Sequence, residues 1–276
     1  MIGQKDLMAR LYTLIHSGIY PRFSILEGDR GSGRLTMALE ISKQLDATPI
    51  IVEDLSIASV REIIQKSYTN SAKCCYIFPN ADTMSTAAKN SMLKVTEEAP
   101  NNAYIIMTLE DKQNTLNTII SRATVFNMDP YSKKELSEFV EEVGIEKDVE
   151  LLLTLSNTPG EILRLNDIGV AEFGEYVKKV YDNIALVSGS NSFKIASKVS
   201  LKDGAEGYPL DLFWKAFIKE CANEMLDNIN DKYYTQKTSY GIRTTSDALA
   251  DLKIKGINKK MLMDNWILTI REGWME

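Results

Sequence analysis

A glycine-rich turn between a short apolar run and a helical pattern constrains the fold of this chain more than any other feature. Phe23–Glu27 is the apolar run, residues 28–33 form the turn, and residues 35–45 carry apolar side chains at helical spacing. A strand, a tight loop and a helix in this order form a phosphate-binding loop, because the N–H groups that open the helix can surround phosphate oxygens. The turn therefore predicts an α/β domain that carries such a loop.

Further apolar runs predict the rest of the sheet. Residues 49–52, Cys74–Phe78 and residues 103–108 are short and uniformly apolar, which is typical of strands covered on both faces, and residues 125–128 supply a fifth strand. Helical patterns separate these runs, so the strands are expected to lie parallel. We predict an α/β domain with a parallel sheet over residues 1–128.

Asp129 and Pro130 end this pattern, because proline cannot continue a strand ladder. Ser132 and Glu135 then have the spacing of a helix capping box. The remaining sequence is helical in pattern, with a turn predicted at residues 157–160. We predict a small helical lid domain over residues 129–180 and an all-α C-terminal domain over residues 185–276.

Composition restricts the partners of the chain. Its 276 residues carry a formal net charge of −6, whereas proteins that bind nucleic acid by themselves usually have a clear basic excess. Any contact with DNA is therefore expected to be local or shared with partners. No basic segment followed by an apolar stretch opens the chain, and no apolar run reaches ~18 residues, so we expect a cytoplasmic protein that spans no membrane.

The cysteines and the single histidine lack the spacing of metal ligands. Cys74 and Cys75 are adjacent on an apolar run, and Cys221 is far from both. His16 lies in a helical pattern without a cysteine or histidine partner nearby. We expect three buried free thiols and a histidine on a helix surface.

The glycine-rich turn departs from an active phosphate-binding loop at the positions that perform chemistry. The pattern G-x-x-x-x-G-K-[ST] requires a lysine where this chain has Arg34, and a hydroxyl for Mg²⁺ where it has Leu35. Thr36 is one residue late, about 100° further round the helix, so its hydroxyl is expected to point away from the metal. The vestigial phosphate-binding loop is predicted to consist of Gly28, Gly31, Ser32, Gly33, Arg34 and Thr36. We expect the loop to keep its fold and to lack the metal site.

The acidic pair that ATP hydrolysis requires is also missing. One carboxylate would hold the metal ion and another would orient water after the third strand, yet those positions hold Pro79 and Asn80. Asp82 lies beyond them and is predicted to cap the following helix. We therefore predict a vestigial loop kept for folding. The alternative is an active ATPase in which Arg34 replaces the lysine and Asp82 or Glu53 replaces the lost pair.

Four segments, in the right order, resemble the clamp-loader branch of the AAA+ family. They are residues 2–4, which resemble its opening G-Q, residues 59–64 (I-R-x-L), residues 86–100 (A-A-x-N-A-L-L-K-x-L-E-E-P-P) and residues 118–123 (T-I-x-S-R-C, with Ala123 for the cysteine). The gamma or tau members of this family hydrolyse ATP and keep the lysine, the hydroxyl and the acidic pair, whereas its delta-prime members commonly do not. The losses in this chain are therefore similar to those of delta-prime.

The resemblance implies roles for particular residues. The arginine of the S-R-C segment, here Arg122 after Ser121, projects in this family into the ATP site of the neighbouring subunit, where a guanidinium stabilises charge on the transferred phosphoryl group. The alternative is a surface arginine that caps the end of a strand or helix. The family has a second-sensor arginine that touches nucleotide, and its position corresponds to Glu161 or Ile162 in this chain, with Arg164 one turn further on. The missing arginine argues against nucleotide sensing within the chain.

The resemblance further implies a non-hydrolysing subunit of a hetero-oligomeric clamp loader whose C-terminal domain is a collar. Its implied partners are gamma or tau and delta subunits, the sliding clamp and, through the assembled complex, primed DNA. No cofactor is required, nucleotide binding is expected to be weak or absent, and zinc is not expected because the family's four-cysteine module is missing. An adaptor outside replication is a further alternative.

Two smaller groups of residues leave alternatives open. Trp214, Trp266 and Trp274 are either subunit contacts or core residues, and core packing is favoured for the first two. Glu97 and Glu98 are adjacent, so they do not share a helix face; ion pairs along their helix are expected rather than a metal site.

Overall fold

The computed structural model describes residues 3–187, 193–201, 206–254 and 256–275. Ile2, the first residue of the G-Q segment, lies outside these residues. The chain divides into two units, the first made of residues 1–145 and 157–161 and the second of residues 146–156 and 162–276. The predicted division into residues 1–128, 129–180 and 185–276 stays a prediction.

The first unit contains a parallel sheet of five strands in the order β2-β3-β4-β1-β5. The strands are β1 (Phe23–Glu27), β2 (Thr48–Ile51), β3 (Cys74–Phe78), β4 (Ala103–Leu109) and β5 (Thr124–Asn127). β1, β3 and β4 are buried almost throughout, as their apolar sequences predict. The predicted parallel α/β architecture is thereby confirmed.

The prediction that every strand is covered on both faces is wrong for β2. This strand lies at the edge of the sheet, and Thr48, Pro49 and Ile51 are exposed. Pro49 fits an edge position because proline has no N–H to donate to a further strand.

Helices cover both faces of the sheet. The helices of the first unit are α1 (Lys5–His16), α2 (Arg34–Gln44), α3 (Ile57–Thr69), α4 (Thr86–Ser91), α5 (Leu93–Glu97), α6 (Asn117–Ile120) and α7 (Lys133–Val143). Alternate residues of β3 face two separate apolar clusters: Tyr76 packs in one with Val60 of α3, and Ile77 in the other with Met37 of α2. The carboxyl ends of β1, β3 and β4 are thus held side by side between two layers of helices.

The capping box at the start of α7 is confirmed. Ser132 Oγ accepts a hydrogen bond from the Glu135 N–H at 3.2 Å, and Glu135 Oε2 accepts one from the Ser132 N–H at 2.8 Å. Ser132 Oγ also donates to Glu135 Oε2 at 2.7 Å, and the hydrogen bonds that the Ser132 N–H and hydroxyl donate to this carboxyl hold its pKa below the ordinary value.

The second unit is helical, as predicted, apart from two short parallel strands. The helices are α8 (Val149–Leu155), α9 (Pro159–Ile168), which crosses the boundary between the units, α10 (Val170–Asn183), α11 (Leu210–Asp227), α12 (Lys232–Leu252) and α13 (Lys259–Met275); the strands are β6 (Val199–Ser200) and β7 (Tyr208–Pro209). The turn predicted at residues 157–160 is wrong in its second half, because Pro159 and Gly160 open α9. Proline is favoured at the first position of a helix, where its missing N–H costs no hydrogen bond.

The tryptophans of the second unit are core residues. Trp214 and Trp266 are fully buried, and Trp274 is 6% exposed. The rings of Trp266 and Phe217 pack edge to face with their centroids 4.9 Å apart, and Trp266 Nε1 donates to Thr245 Oγ1 at 3.0 Å. Core packing is confirmed for Trp214 and Trp266, and the same burial leaves Trp274 little surface for a subunit contact.

Candidate functional site

The glycine-rich loop follows β1 directly, as predicted. Gly28 continues the sheet, because its N–H donates to Leu109 O at 3.1 Å. Gly31 and Gly33 have φ values of +83° and +87°, and Gly33 precedes the first residue of α2. Such angles strain any residue with a Cβ, so glycine is needed at both positions for the chain to turn from strand to helix.

Residues at the start of α9 contact the glycine-rich loop closely. A Cβ on Gly160 would lie 2.5 Å from Gly31 Cα, so the two backbones touch. The Gly160 N–H donates to Gly31 O at 3.0 Å, and Thr158 Oγ1 donates to Arg30 O at 3.0 Å. Residues 157–161 therefore hold the loop within the first unit.

Ser32 lies at the centre of the loop. Its carbonyl oxygen accepts a hydrogen bond from Tyr131 Oη at 2.8 Å. The side chain is buried, and its Oγ has no hydrogen-bond partner among the described residues.

Arg34 joins the start of α2 to the ends of two strands. The residue is 6% exposed, its Nη2 donates to Asn80 Oδ1 at 3.2 Å, and the same nitrogen lies 3.6 Å from Glu110 Oε1. Burial lowers the pKa of the Arg34 guanidinium, while nearby carboxylates, first that of Glu110, oppose the shift. Nη1 has no hydrogen-bond partner in the described part of the chain. The lysine position of the loop is thus filled by a cation that contacts protein groups.

Sequence reasoning missed Glu110. This residue follows β4 directly, next to the end of β1 in the sheet. A polar residue at the carboxyl end of a central parallel strand is a recognisable signal, because ligand sites collect at that edge.

The positions of the absent acidic pair lie directly after β3, as the sequence predicts. Asn80 has a φ of +49°, which asparagine tolerates better than most residues, and its N–H donates to Thr108 Oγ1 at 2.9 Å. Pro79 and Asn80 offer no carboxylate to a metal ion. Leu35, at the hydroxyl position of the loop, and Thr36, one residue later, are exposed in the first turn of α2.

Asp82 does not cap the following helix, so that prediction is wrong. Ser85 caps α4 instead, since its Oγ accepts from the Ala88 N–H at 3.1 Å. Asp82 lies in a short 3-10 helix; its Oδ2 accepts from the Glu110 N–H at 3.4 Å, and its Oδ1 is buried without a hydrogen-bond partner among the residues described. Ser85 lies three residues before the helical N–H that it binds, whereas Asp82 is turned toward the end of β4 and accepts from the Glu110 N–H. Ser85 is therefore the residue that caps the helix.

Glu53, the other carboxylate considered for hydrolysis, is exposed just beyond β2. β3 and β4 separate β2 from β1, and three strand spacings amount to about 14 Å. Asp82 is therefore the better placed of the two carboxylates relative to the loop.

Arg122 follows α6 and is held from two sides. Its Nε donates to Glu97 Oε1 at 2.7 Å, its Nη2 donates to the same oxygen, and its Nη1 donates to Thr118 O at 2.7 Å. Ser121 is exposed and its Oγ donates to Thr118 O at 3.2 Å. Arg122 thus caps the end of α6, as the alternative interpretation predicts, while its side chain keeps 33% of its accessible surface. Glu97 pairs with a residue 25 positions away rather than along its own helix.

The second-sensor position holds no exposed arginine. Glu161 is buried, and its Oε2 accepts from the Asn157 N–H at 2.8 Å; Ile162 is fully buried. Arg164 and Asp211, both in the second unit, form a bidentate pair with distances of 2.8 and 2.9 Å.

The cysteines and the histidine lie as predicted. All three cysteines are buried free thiols, and burial raises the pKa of Cys75 to about 12. His16 is exposed at the end of α1. Within the described residues, no helix combines the length and the apolar character needed to cross a membrane.

Comparisons with known proteins show what this chain is similar to. A family profile described as DNA polymerase III, delta subunit matches residues 46–132. DNA polymerase III subunit delta' of Bacillus subtilis is 28% identical over 214 residues, which are 64% of this chain and 63% of that protein. Subunit delta' of Haemophilus influenzae is 26% identical over 148 residues, or 50% of this chain and 45% of that protein. The matches thus span less than two thirds of the length of these delta' relatives.

Solved structures define the fold. A DNA polymerase III gamma subunit-related protein from Thermotoga maritima has a TM-score of 0.52 at 18% identity and covers 95% of this chain and 98% of its own. The RuvB Holliday junction branch migration motor of the same organism has a TM-score of 0.52 at 15% identity, with 97% and 87% covered. The fold is therefore that of AAA+ proteins, with a helical C-terminal region. In sequence, the chain is similar to the delta-prime subunits of bacterial DNA polymerase III, which confirms the resemblance carried by its ordered segments.

Proposed function

We propose that this chain is a subunit of a bacterial clamp loader that does not hydrolyse ATP itself and that supplies Arg122 to the ATP site of a neighbouring subunit. The observation that supports the absence of hydrolysis is the contact of Arg34 with Asn80 and Glu110. An active loop has a lysine at this position, which it presents to phosphate. Its partners would be gamma or tau and delta subunits, and it would reach the sliding clamp and primed DNA through the assembled, cytoplasmic complex.

Several features around the loop support the absence of hydrolysis. ATP hydrolysis requires a metal ion bound by a hydroxyl and a carboxylate, and a second group that orients water. Leu35 cannot supply the hydroxyl, and Pro79 and Asn80 cannot supply the carboxylates. The glycines have a sufficient role in the fold without nucleotide, because Gly31 meets the backbone of Gly160. No nucleotide or zinc is needed on this proposal.

The role of Arg122 rests on its surface and its unused donors. A guanidinium has five N–H groups, and three of them are used by Glu97 and Thr118. The remaining two, together with the exposed third of the side chain, can contact the phosphate of a nucleotide held by another subunit.

An active ATPase is the second candidate, and one observation favours it. Asp82 Oδ1 is buried without a hydrogen-bond partner among the described residues, and its carboxylate acts electrostatically on Arg34. A metal ion bound there would restore part of the lost chemistry. Turnover by the isolated chain would support this candidate, whereas failure to bind gamma or tau would favour an adaptor outside replication.

The deciding experiment measures ATP turnover in the reconstituted complex. The purified chain is mixed with its cognate gamma or tau and delta subunits, the clamp and primed DNA, and wild type is compared with Arg122→Ala. Arg10→Ala, which removes an exposed arginine of α1, is the matched control. We expect no turnover by the chain alone, and lower turnover for Arg122→Ala in a complex that still assembles. Turnover by the chain alone, or an Arg122→Ala complex as active as wild type, would contradict the proposal.

A further inference from the structure

The contact between Glu97 and Arg122 joins two short helices of the first unit. Glu97 is the last residue of α5, and Arg122 follows the end of α6. A single carboxylate oxygen, Glu97 Oε1, accepts from both Nε and Nη2 of Arg122. On the other side, Nη1 donates to Thr118 O at 2.7 Å. All three nitrogens of the guanidinium are therefore held by its own chain.

The same contacts leave the end of the guanidinium available. Nη1 and Nη2 each carry two N–H groups, and each donates one of them to Thr118 O or Glu97 Oε1. One N–H remains on each terminal nitrogen. This pair can donate to two oxygens of one phosphate, because the fork of a guanidinium matches that spacing. Glu97 thus restrains the side chain without occupying all the donors that a phosphate would use.

The exposure of the pair argues that its main effect is on orientation. The side chains of Arg122 and Glu97 are 33% and 51% exposed, and ion pairs this exposed contribute little to folding. An arginine without such a partner would sample many rotamers, and a phosphate in a neighbouring subunit would have to select one of them.

We infer that Glu97 is a positioning residue for Arg122, which orients the guanidinium toward the phosphate of ATP bound to a neighbouring subunit. This inference rests on the proposed function and assigns it a second residue. Because the restraint acts through an oxygen acceptor, an amide at the same position should preserve part of it. The charge of the carboxylate should account for the rest.

The test compares Glu97→Ala and Glu97→Gln in the reconstituted complex. We expect Glu97→Ala to lower the clamp- and DNA-stimulated kcat by about 5- to 10-fold at the site that Arg122 faces, with the KM for ATP unchanged, because the restraint matters most as charge develops in the transition state. Glu97→Gln should give an intermediate kcat. Glu98→Ala is the matched control, since Glu98 is exposed and it is its backbone oxygen that accepts from Tyr68.

A double-mutant cycle separates this inference from the proposed function. If Glu97 acts through Arg122, Glu97→Ala has no further effect in an Arg122→Ala background. A normal kcat for Glu97→Ala alongside a reduced kcat for Arg122→Ala would overturn the role of Glu97 and leave the proposed function intact. An additional loss in the Arg122→Ala background would show that Glu97 acts elsewhere. If Arg122→Ala itself has no effect, the proposed function fails.

Discussion

Replacing Arg34 should destabilise the first unit, because its side chain contacts Asn80 and Glu110. In an active phosphate-binding loop, the residue at this position contacts ATP instead. In Arg34→Ala, Asn80 Oδ1 loses its donor and Glu110 loses its cation. A hydrogen bond to a charged group contributes about 1.5 to 3 kcal/mol, whereas the ion pair adds at most about 1 kcal/mol because Glu110 is 32% exposed. Relief of the desolvation of Arg34 offsets part of the loss. We expect a net cost of about 2 kcal/mol.

Two further variants of α2 sharpen this prediction. Arg34→Lys restores the residue of an active loop but replaces the planar fork by a single ammonium group, which we expect to cost about 1 kcal/mol. Lys43→Ala, an exposed change at the other end of α2, should alter stability by less than about 0.5 kcal/mol.

Thermal unfolding with and without MgATP measures both stability and binding. At about 2 to 4 °C per kcal/mol, Arg34→Ala should lower Tm by about 4 to 8 °C and Arg34→Lys by about 2 to 4 °C. Millimolar MgATP should leave the Tm of the wild type unchanged, because only a ligand of the folded state raises it. A Tm for Arg34→Ala equal to that of Lys43→Ala would refute the structural role. A rise of several degrees in wild type with MgATP would refute the vestigial site.

Three other predictions concern packing and burial. Gly160→Ala should lower the free energy of unfolding in urea by more than about 2 kcal/mol, because its Cβ would lie 2.5 Å from the Cα of Gly31. The control Gly174→Ala, whose Cβ would have its nearest contact at 3.6 Å, should be neutral or stabilising. Equal urea midpoints for the two variants would contradict the close approach. Thr245→Val should cost about 1 to 3 kcal/mol by removing the acceptor of the buried Trp266 N–H, and an unchanged urea midpoint would exclude that bond as a stabilising contact. The cysteines of the native protein should resist a thiol reagent at pH 8 and react in denaturant, because all three are buried. With a pKa of about 12, only about one part in 10⁴ of Cys75 is thiolate at that pH. Rapid labelling of the native protein would contradict this burial.

The central strands could be predicted closely from the sequence, and the edge strand could not. Phe23–Glu27 and Cys74–Phe78 are strands with the predicted bounds, because burial on both faces requires an uninterrupted apolar run. Residues 49–52 have a similar run, yet β2 is an exposed edge. Apolar content alone does not distinguish these cases. Pro49 does, because its missing N–H is tolerated where no further strand pairs.

Local signals also compete with each other at the start of α9. Pro159-Gly160 is typical of a turn, but proline is equally suited to the first turn of a helix. The close contact between Gly160 and Gly31 decides the outcome, since it requires a residue without a side chain at the start of the helix. That contact joins positions 129 residues apart in sequence, so no local pattern could have indicated it.

The partners of the site residues were the least predictable feature, because they depend on the order of the strands. Arg34 meets Glu110 only because β4 pairs directly with β1, and Asn80 because β3 is the next strand along. Arg122 meets Glu97 through the packing of two short helices. The sequence identified both arginines and the missing carboxylates, whereas the acceptors of those arginines required the structure.

The glycines of the loop and its missing chemical groups carry different information. Gly31 and Gly33 are required by backbone angles, and Gly160 by its contact with the loop, whether or not a nucleotide binds. A glycine pattern alone is therefore weak support for ATP binding. The side chains at the positions that hold phosphate and metal in an active loop are better indicators of ATP binding. In this chain those positions hold Arg34 and Leu35. A loop of this kind can lose its chemistry and keep its shape, and the proposed action of Arg122 on a neighbour's nucleotide requires no chemistry from it.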